Sequence, residues 1–184
     1  EYEPVLGARG CDKAAEFVSF CDAFNIPVLA LVNVKGYKQS KCTERRIAKA
    51  AGRLTYAFAN ADMPKVTVVI GEAYGSAYVT MNSKSIGADI VYAWPSASIG
   101  MMDAEAAAKI MYADEIAKAD DKNALISEKA AAYAKLQASA ESAAKRGYVD
   151  SIIAPETTRQ IAAAAFEMLF TKREDRPAKK HGTV

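Results

Sequence analysis

The sequence predicts a single α/β domain over residues 1–184, and three observations support this fold class. Continuous apolar runs of strand length recur along the chain, at 27–32, 66–70 and 89–93. Segments whose apolar residues have helical spacing lie between and after these runs. No linker and no repeat of fixed period interrupts the sequence. Continuous runs indicate strands buried on both faces, and their alternation with helices is typical of α/β proteins.

Capping residues, helix breakers and apolar spacing give the approximate bounds of each element. Asp12 is expected to cap the first helix, Pro64 ends the second, and Pro155 starts the last. Residues 1–11 show no period and are predicted to form an irregular leading segment. In chain order the predicted elements are a helix (13–24), a strand (27–32), a helix (43–61), a strand (66–70), a short helix (77–83), strands (89–93 and 98–100), three helices (103–112, 120–137 and 141–146), an extended piece (149–153), a helix (155–170) and a loose charged tail (171–184).

Composition excludes several classes of function. The net charge is +2, from 24 basic and 22 acidic residues, which leaves no general basic field for nucleic acid. Three cysteines, none in a CxxC pair, indicate reduced thiols rather than a disulfide framework. The single histidine, His181, lies in the polar tail, so a Ser/His/Asp triad is not expected. No metal-ligand spacing is present.

The ends and the hydropathy of the chain suggest where the protein resides. No apolar run approaches the ~20 residues needed to span a bilayer, and no signal peptide is visible. We therefore expect a cytoplasmic protein. The first residue is Glu1 rather than Met, which suggests a piece of a longer polypeptide.

The segment from Gly71 to Tyr78 is the most informative candidate site. A buried strand runs into small residues and then into a helix, and Gly75 and Ser76 allow a sharp turn. The first amides of a helix have no intrahelical partner and could hold a developing negative oxygen. Tight packing is the competing interpretation of these small residues.

A second turn and a basic run lie after the first strand. Gly36 and Tyr37 follow the apolar run 27–32, and again the backbone amides could be free to donate. Six basic residues cluster here, at positions 35, 38, 41, 45, 46 and 49. They could form a solvated face, or a patch for an anionic partner such as the phosphates of coenzyme A or an acidic carrier domain.

Two long motifs resemble the carboxyltransferase family. They are Pro64-Lys-Val-Thr-Val-Val-Ile-Gly-Glu-Ala-Tyr-Gly-Ser-Ala-Tyr-Val-Thr-Met-Asn-Ser83 and Gly87-Ala-Asp-Ile-Val-Tyr-Ala-Trp-Pro95. The resemblance runs from about Asp12 to Arg176. The family includes the β subunit of propionyl-CoA carboxylase, the transcarboxylase large subunit, and the α subunits of methylmalonyl-CoA and glutaconyl-CoA decarboxylases. The resemblance implies a crotonase (ClpP-like) superhelix of ββα units, and it identifies this chain as the second half of such an enzyme.

The resemblance also implies a function and its partners. Such enzymes move a carboxyl group between biotin, carried on a partner domain, and the α-carbon of an acyl-CoA. The implied partners are the protein's own N-terminal half, a biotin carboxyl carrier protein and further copies in a hexamer. The catalytic residues implied are Gly75, Ser76, Ala77, Gly36 and Tyr37. Tyr74 joins Gly36, Tyr37, Ser76 and Ala77 as a biotin-binding residue.

The sequence departs from the family pattern at the second turn. Lys35 stands where Pro is usual, and 38–42 replaces a Gly-rich loop. Two alternatives therefore remain open. One is an ordinary crotonase-type hydratase or isomerase acting on acyl-CoA without biotin, with Glu72 as its candidate acid. The other is a non-catalytic module for assembly or carrier docking.

Overall fold

Parallel strands form the central sheet of the chain, whose computed structural model describes residues 3–174. The strand order is β2-β4-β5-β7, with β6 added beside the end of β4, and β1 pairs separately with β3. In chain order the elements are β1 (Val5–Leu6), α1 (Ala8–Ala23), β2 (Val28–Val34), β3 (Gly36–Tyr37), α2 (Lys41–Glu44), α3 (Ile47–Asn60), β4 (Lys65–Tyr74), α4 (Gly75–Thr80), β5 (Ile90–Ala93), β6 (Ser98–Gly100), α5 (Ala104–Met111), α6 (Ala113–Lys118), α7 (Lys122–Tyr133), α8 (Ala140–Lys145), β7 (Ser151–Ile152) and α9 (Thr158–Met168).

The long strand β4 organises the sheet because it has a different neighbour along each half. Its first half pairs with β5, from Val66 opposite Ile90 onward, and its second half pairs with β6, ending at Tyr74 opposite Gly100. Residues 66–69 of the run in β4 are completely buried, as its continuous pattern predicts, and Ile70 is partly exposed. The predicted end of this strand at residue 70 is wrong, because 71–74 remain strand. The reason is the ladder with β6, a long-range pairing that local pattern does not reveal.

A side-chain amide replaces part of the ladder where β2 and β4 end. The register between these strands shifts between Val32 and Val34. At that point the Asn33 Oδ1 accepts a hydrogen bond from the Glu72 N–H at 3.0 Å. A Cβ on Gly71 would lie 2.6 Å from the same oxygen, so a larger residue here would displace the Asn33 amide from its hydrogen bond.

Two apolar clusters form the core. One joins the sheet to α4 and α8, and the other packs α1 against α3. Lys65 is completely buried beside the second cluster. Its Nζ donates to the carbonyls of Phe58 and Ala61, each at 2.8 Å, at the end of α3. A cation there satisfies carbonyls that lack intrahelical donors and complements the helix dipole.

The leading segment is more ordered than the sequence predicts. Helix α1 starts at Ala8 with Gly7 at its N-cap, and β1 precedes it, so an irregular segment over 1–11 is wrong for residues 5–11. Asp12 is not a cap; its carboxylate pairs with Arg53 at 3.0 Å and with Arg46 at 3.4 Å. Pairing of β1 with the remote β3 explains the difference.

The helices of the C-terminal third largely follow their predicted caps. Asp103 Oδ1 accepts from Ala106 N at 2.9 Å, and Asp121 caps α7 in the same way. The predicted helix 120–137 instead ends as α-helix at Tyr133 and continues as a π-helical stretch, Ala134–Ala138. The predicted helix 43–61 is divided into α2 and α3, and α6 was not predicted.

The start of the predicted loose tail is held in place. The Lys172 side chain is 9% exposed and pairs with Asp89 at 2.9 Å and Glu174 at 2.8 Å. Burial lowers the pKa of Lys172, but hydrogen bonds to Glu174 and Asp89 outweigh it, so the pKa is raised overall. Loose structure is therefore wrong for 171–174. The rest of the tail, with His181, lies outside the described residues.

Over residues 3–174, no helix is long and apolar enough to cross a membrane. The same residues include no group of three or more His, Cys, Asp and Glu side chains placed to hold a metal ion.

Candidate functional site

The junction between β4 and α4 is built around Gly75. Its φ is +58°, in the left-handed region that favours glycine. A Cβ at this position would also lie 2.9 Å from the carbonyl oxygen of Met101. Both restrictions apply at once, so the sharp turn from strand to helix requires glycine here.

The first residues of α4 present backbone amides that lack a helical acceptor. Gly75, Ser76 and Ala77 precede the first i→i−4 hydrogen bond, and no side chain caps this end of the helix. Ser76 is exposed, whereas Ala77 is 1% exposed. Of these predicted catalytic residues, Ser76 therefore reaches the surface, whereas Ala77 packs into the core.

A cleft of about 520 Å³ opens at this end of α4. Its walls combine the start of α4, the end of β6 and the region around α8. The residues that line it are Gly75, Ser76, Tyr78, Val79, Ser85, Ile99, Gly100, Met101, Gln137, Ala143, Arg146 and Tyr148. Amide donors thus meet a mostly apolar wall, an arrangement suited to a ligand with one anionic oxygen and an apolar body.

Arg146 is the one charged residue among those lining the cleft. Its Nη2 donates to Gln137 Oε1, and in the described part of the chain no carboxylate pairs with it. Tyr78 is 7% exposed, and its hydroxyl has no hydrogen-bond partner among residues 3–174. Burial raises the pKa of Tyr78 to about 12, so its phenol stays protonated at neutral pH. The cleft therefore offers the guanidinium of Arg146 to an anionic ligand, whereas the Tyr78 hydroxyl itself is buried behind the cleft surface.

The structure places Gly36 and Tyr37 apart from this cleft. Both line a separate groove of about 360 Å³ beside Lys35 and Lys38. Tyr37 nevertheless contacts α4: its hydroxyl lies 2.8 Å from Thr80 Oγ1 and donates to the Ser76 carbonyl at 3.2 Å. Tyr37 thus supports the helix whose first residues line the cleft, and Gly36 is connected to it only as a neighbour of Tyr37.

Two further candidates have structural partners outside the cleft. The Tyr74 hydroxyl donates to Ser98 Oγ at 2.9 Å, across the β4–β6 pair. Glu72, the candidate acid of a hydratase, pairs with Lys35 at 3.3 Å. Neither Tyr74 nor Glu72 lines the cleft.

Sequence reasoning missed the wall that faces α4. Arg146, Gln137 and Tyr148 come from segments 60 or more residues downstream of Ser76, and no local signal links them to it. Met101, which lines the same cleft, is 80% exposed.

Comparison with known proteins assigns the family. The carboxyl transferase domain family matches residues 5–184. The chain belongs to the carboxyl transferase family. It is 47% identical to the methylmalonyl-CoA carboxyltransferase 12S subunit of Propionibacterium freudenreichii subsp. shermanii, covering 96% of this chain and 34% of that subunit. It is 47% identical to the propionyl-CoA carboxylase beta chain of Saccharopolyspora erythraea, covering 98% and 34%. The methylmalonyl-CoA decarboxylase subunit alpha of Propionigenium modestum is 44% identical, with 94% and 34% covered.

Solved structures of this carboxyl transferase family share the fold. Transcarboxylase 12S, solved as a hexamer assembly with hydrolysed methylmalonyl-coenzyme A bound, superposes with a TM-score of 0.92 at 47% identity, over 97% of this chain and 34% of that one. The beta subunit of P. aeruginosa geranyl-CoA carboxylase gives 0.80 at 25% identity, over 96% and 34%. These matches confirm the predicted crotonase-type α/β fold. The carboxyl transferase chain spans about a third of the length of these relatives.

Proposed function

We propose that this chain is the biotin-facing part of a biotin-dependent acyl-CoA carboxyltransferase or decarboxylase. Family membership and the names of the relatives support carboxyl transfer to or from an acyl-CoA. The observation that carries the proposal is the exposed, uncapped start of α4 at Ser76, which lines the cleft. It presents main-chain donors where a transferred carboxyl group would leave an anionic oxygen behind.

The residues present fit biotin. Bound biotin, delivered on a carrier domain, would supply the carboxyl group and a urea oxygen that takes up negative charge. The amides at Gly75 and Ser76 would donate to that oxygen, and Ile99 and Met101 provide an apolar wall for the rings. Arg146 would offset the charge of the carboxylate, and Tyr78 adds a neutral phenol to the same wall. Such donors act because they are positioned before the charge develops.

The hydratase or isomerase alternative is not favoured by this geometry. That chemistry needs an acid or base beside the oxyanion donors. Glu72 is paired with Lys35 at 3.3 Å and does not line the cleft. A non-catalytic docking module would bind the carrier without turnover. A measurement of carboxyl transfer therefore separates such a module from an enzyme.

The partners belong to the same proposal. An N-terminal half that binds acyl-CoA, a biotin carboxyl carrier protein and a hexameric assembly would complete the site, by analogy with the hexameric transcarboxylase 12S. Carboxylase and decarboxylase directions use the same site and are both consistent with it. A cytoplasmic location remains a prediction.

Ser76→Pro tests the proposal directly. Proline is tolerated in the first turn of a helix but lacks the N–H, so it removes a single donor. With the acyl-CoA-binding half, carboxylated carrier and acyl-CoA present, we expect transfer to fall by about 10²–10³. Unchanged transfer refutes the assignment.

The matched control is Ser76→Ala, which keeps the amide and removes only the hydroxyl. Its loss of transfer should be far smaller than that of Ser76→Pro. Equal losses would mean that the side chain or the helix fold is responsible, which a parallel measurement of acyl-CoA binding and thermal unfolding would detect. Hydration or isomerisation without biotin would support the alternative enzyme, and carrier binding without turnover would support a docking module.

A further inference from the structure

A basic groove of about 280 Å³ lies where the start of α3 meets α1. We use this name for the pocket lined by Asp12, Arg45, Arg46, Lys49, Ala50 and Arg53. It shares no residue with the cleft at Ser76. The sequence suggested a basic cluster over 35–49, and the structure brings only its last three members, 45, 46 and 49, into this groove.

The cations of the basic groove are not neutralised by the groove itself. Asp12 is its single carboxylate, 3.0 Å from Arg53 and 3.4 Å from Arg46. Arg45 and Lys49 have no ion-pair or hydrogen-bonding side-chain partner in the described part of the chain. Four cations therefore face one carboxylate, in a volume that holds only a small ligand.

The placement of these cations opposes helix stability. Helix α3 has no acidic residue in its first turn and no side-chain cap. Positive side chains near a helix N-terminus are repelled by the helix dipole. Lys49 and Arg53 are also a like-charge pair at i,i+4 within α3, which destabilises a helix. Arg46 and Arg53 join α3 to α1 through Asp12, but stability does not explain Arg45 and Lys49. An anion in the groove would relieve the repulsion that these two cations add.

Helix α3 also connects the basic groove to the candidate site. Thr55, two residues beyond Arg53, donates through its hydroxyl to Thr80 Oγ1 in α4 at 3.3 Å. Six residues of helix, about 9 Å, separate Lys49 from Thr55. The groove is thus a separate pocket, but it lies on a helix that touches α4.

We propose that the basic groove binds the phosphate groups of a small organic phosphate. Arginine presents planar, paired donors that match phosphate oxygens, and three of the four cations are arginines. A multiply charged phosphate fits the small volume and the cation excess better than a flat acidic protein surface does. The phosphate can come from two sources: the nucleotide end of an acyl-CoA, or a free nucleotide or pyrophosphate.

The test is binding of pyrophosphate, coenzyme A and pantetheine to the full chain by calorimetry at low salt. The double variant Arg45→Gln/Lys49→Gln is compared with Lys118→Gln/Lys122→Gln, which removes two exposed lysines far along the chain. We expect pyrophosphate to bind at least tenfold more weakly to the first variant and unchanged to the second. Rising salt should reduce the difference, because the attraction is electrostatic.

Each outcome decides the proposal. Weaker binding of coenzyme A as well as pyrophosphate, with pantetheine unaffected, supports the nucleotide end of an acyl-CoA. Weaker binding of pyrophosphate alone supports a free phosphate. Equal binding by both variants overturns the proposal, and so does binding of polyglutamate in the absence of pyrophosphate binding.

Thermal unfolding without ligand supplies a second criterion that does not depend on the first. Removing like-charge repulsion should leave the double variant Arg45→Gln/Lys49→Gln at least as stable as the parent. A marked loss of stability would make these cations structural and overturn the inference. The test does not depend on carboxyl transfer, so its failure is distinguishable from failure of the proposed enzyme.

Discussion

Gly75→Ala should damage stability and transfer together, because Gly75 carries two separate restrictions. Its φ of +58° is unfavourable for alanine by about 1–2 kcal/mol. The added Cβ would also lie 2.9 Å from the Met101 carbonyl oxygen, so that backbone segment must move. Together these effects predict a loss of about 2–3 kcal/mol in the free energy of unfolding.

Two other glycines separate the effect of backbone strain from that of the close contact of the added Cβ. Gly147 has φ +79° but no atom within 4 Å of an added Cβ, so Gly147→Ala should show the backbone strain alone, about 1 kcal/mol. An added Cβ at Gly36 also meets nothing within 4 Å, and its φ is not in the left-handed region. Gly36→Ala should therefore be neutral or slightly stabilising, because alanine restricts the unfolded chain.

The assays are urea unfolding of all three variants and carboxyl transfer with the acyl-CoA-binding half and carboxylated carrier. The expected order of stability is Gly36→Ala, then Gly147→Ala, then Gly75→Ala. Transfer by Gly75→Ala should fall by about 10²-fold, because the amides of α4 move with the turn. A Gly75→Ala protein as stable and as active as the parent would refute the reasoning about this junction.

Four further outcomes follow from the site and the core. Arg146→Gln should weaken binding of the carboxylated substrate about tenfold, seen as a higher KM, and Arg146→Lys should restore part of it; equal values for both contradict a role for charge. Lys65→Met should cost about 3 kcal/mol in urea unfolding, because it leaves buried carbonyls without their donor; a loss under 0.5 kcal/mol would be typical of a surface site. A maleimide should label native protein once, at Cys42, because Cys11 and Cys21 are buried; mass spectrometry counts the labels. Burial, and next the charge of Asp12, raise the pKa of Cys11 from 9.0 to about 11, so the unfolded thiol ionises first. The free energy of unfolding should therefore fall as the pH rises through the range between these two pKa values, and it should fall less steeply in Cys11→Ala than in the parent protein.

The strands and most helices could be predicted because their signals are local. Val66 to Ile70 is a continuous β-branched run, and Asp103 and Asp121 are capping residues that act within one turn. The strand-to-helix junction at Gly75 followed from the same kind of signal, since small residues came directly after a buried strand. Where a prediction was wrong, as in residues 5–11 and 71–74, the missing information was a pairing with a strand far away in the sequence.

In the candidate site, too, the features that depend on neighbouring residues were predicted, and those that depend on distant residues were not. The sharp turn predicted at Gly75 and Ser76 is present at Gly75, but the residues that face this turn across the cleft were not predicted. Arg146 and Tyr148 reach that cleft only because α8 and the segment after it pack against the sheet. Gly36 was predicted to share the pocket and lines a different groove.

The amino-acid sequence alone determined the fold class, the family resemblance and the strand-to-helix junction at Gly75, because each depends on residues that are neighbours in the chain. Only the tertiary structure decided that Ser76 faces a cleft while Ala77 is buried, that Arg146 supplies the cation there, and that Lys49 shares a groove with Asp12. The physical reason is that burial, charge pairing and cavity walls arise from packing between distant segments, which the local pattern of side chains does not specify.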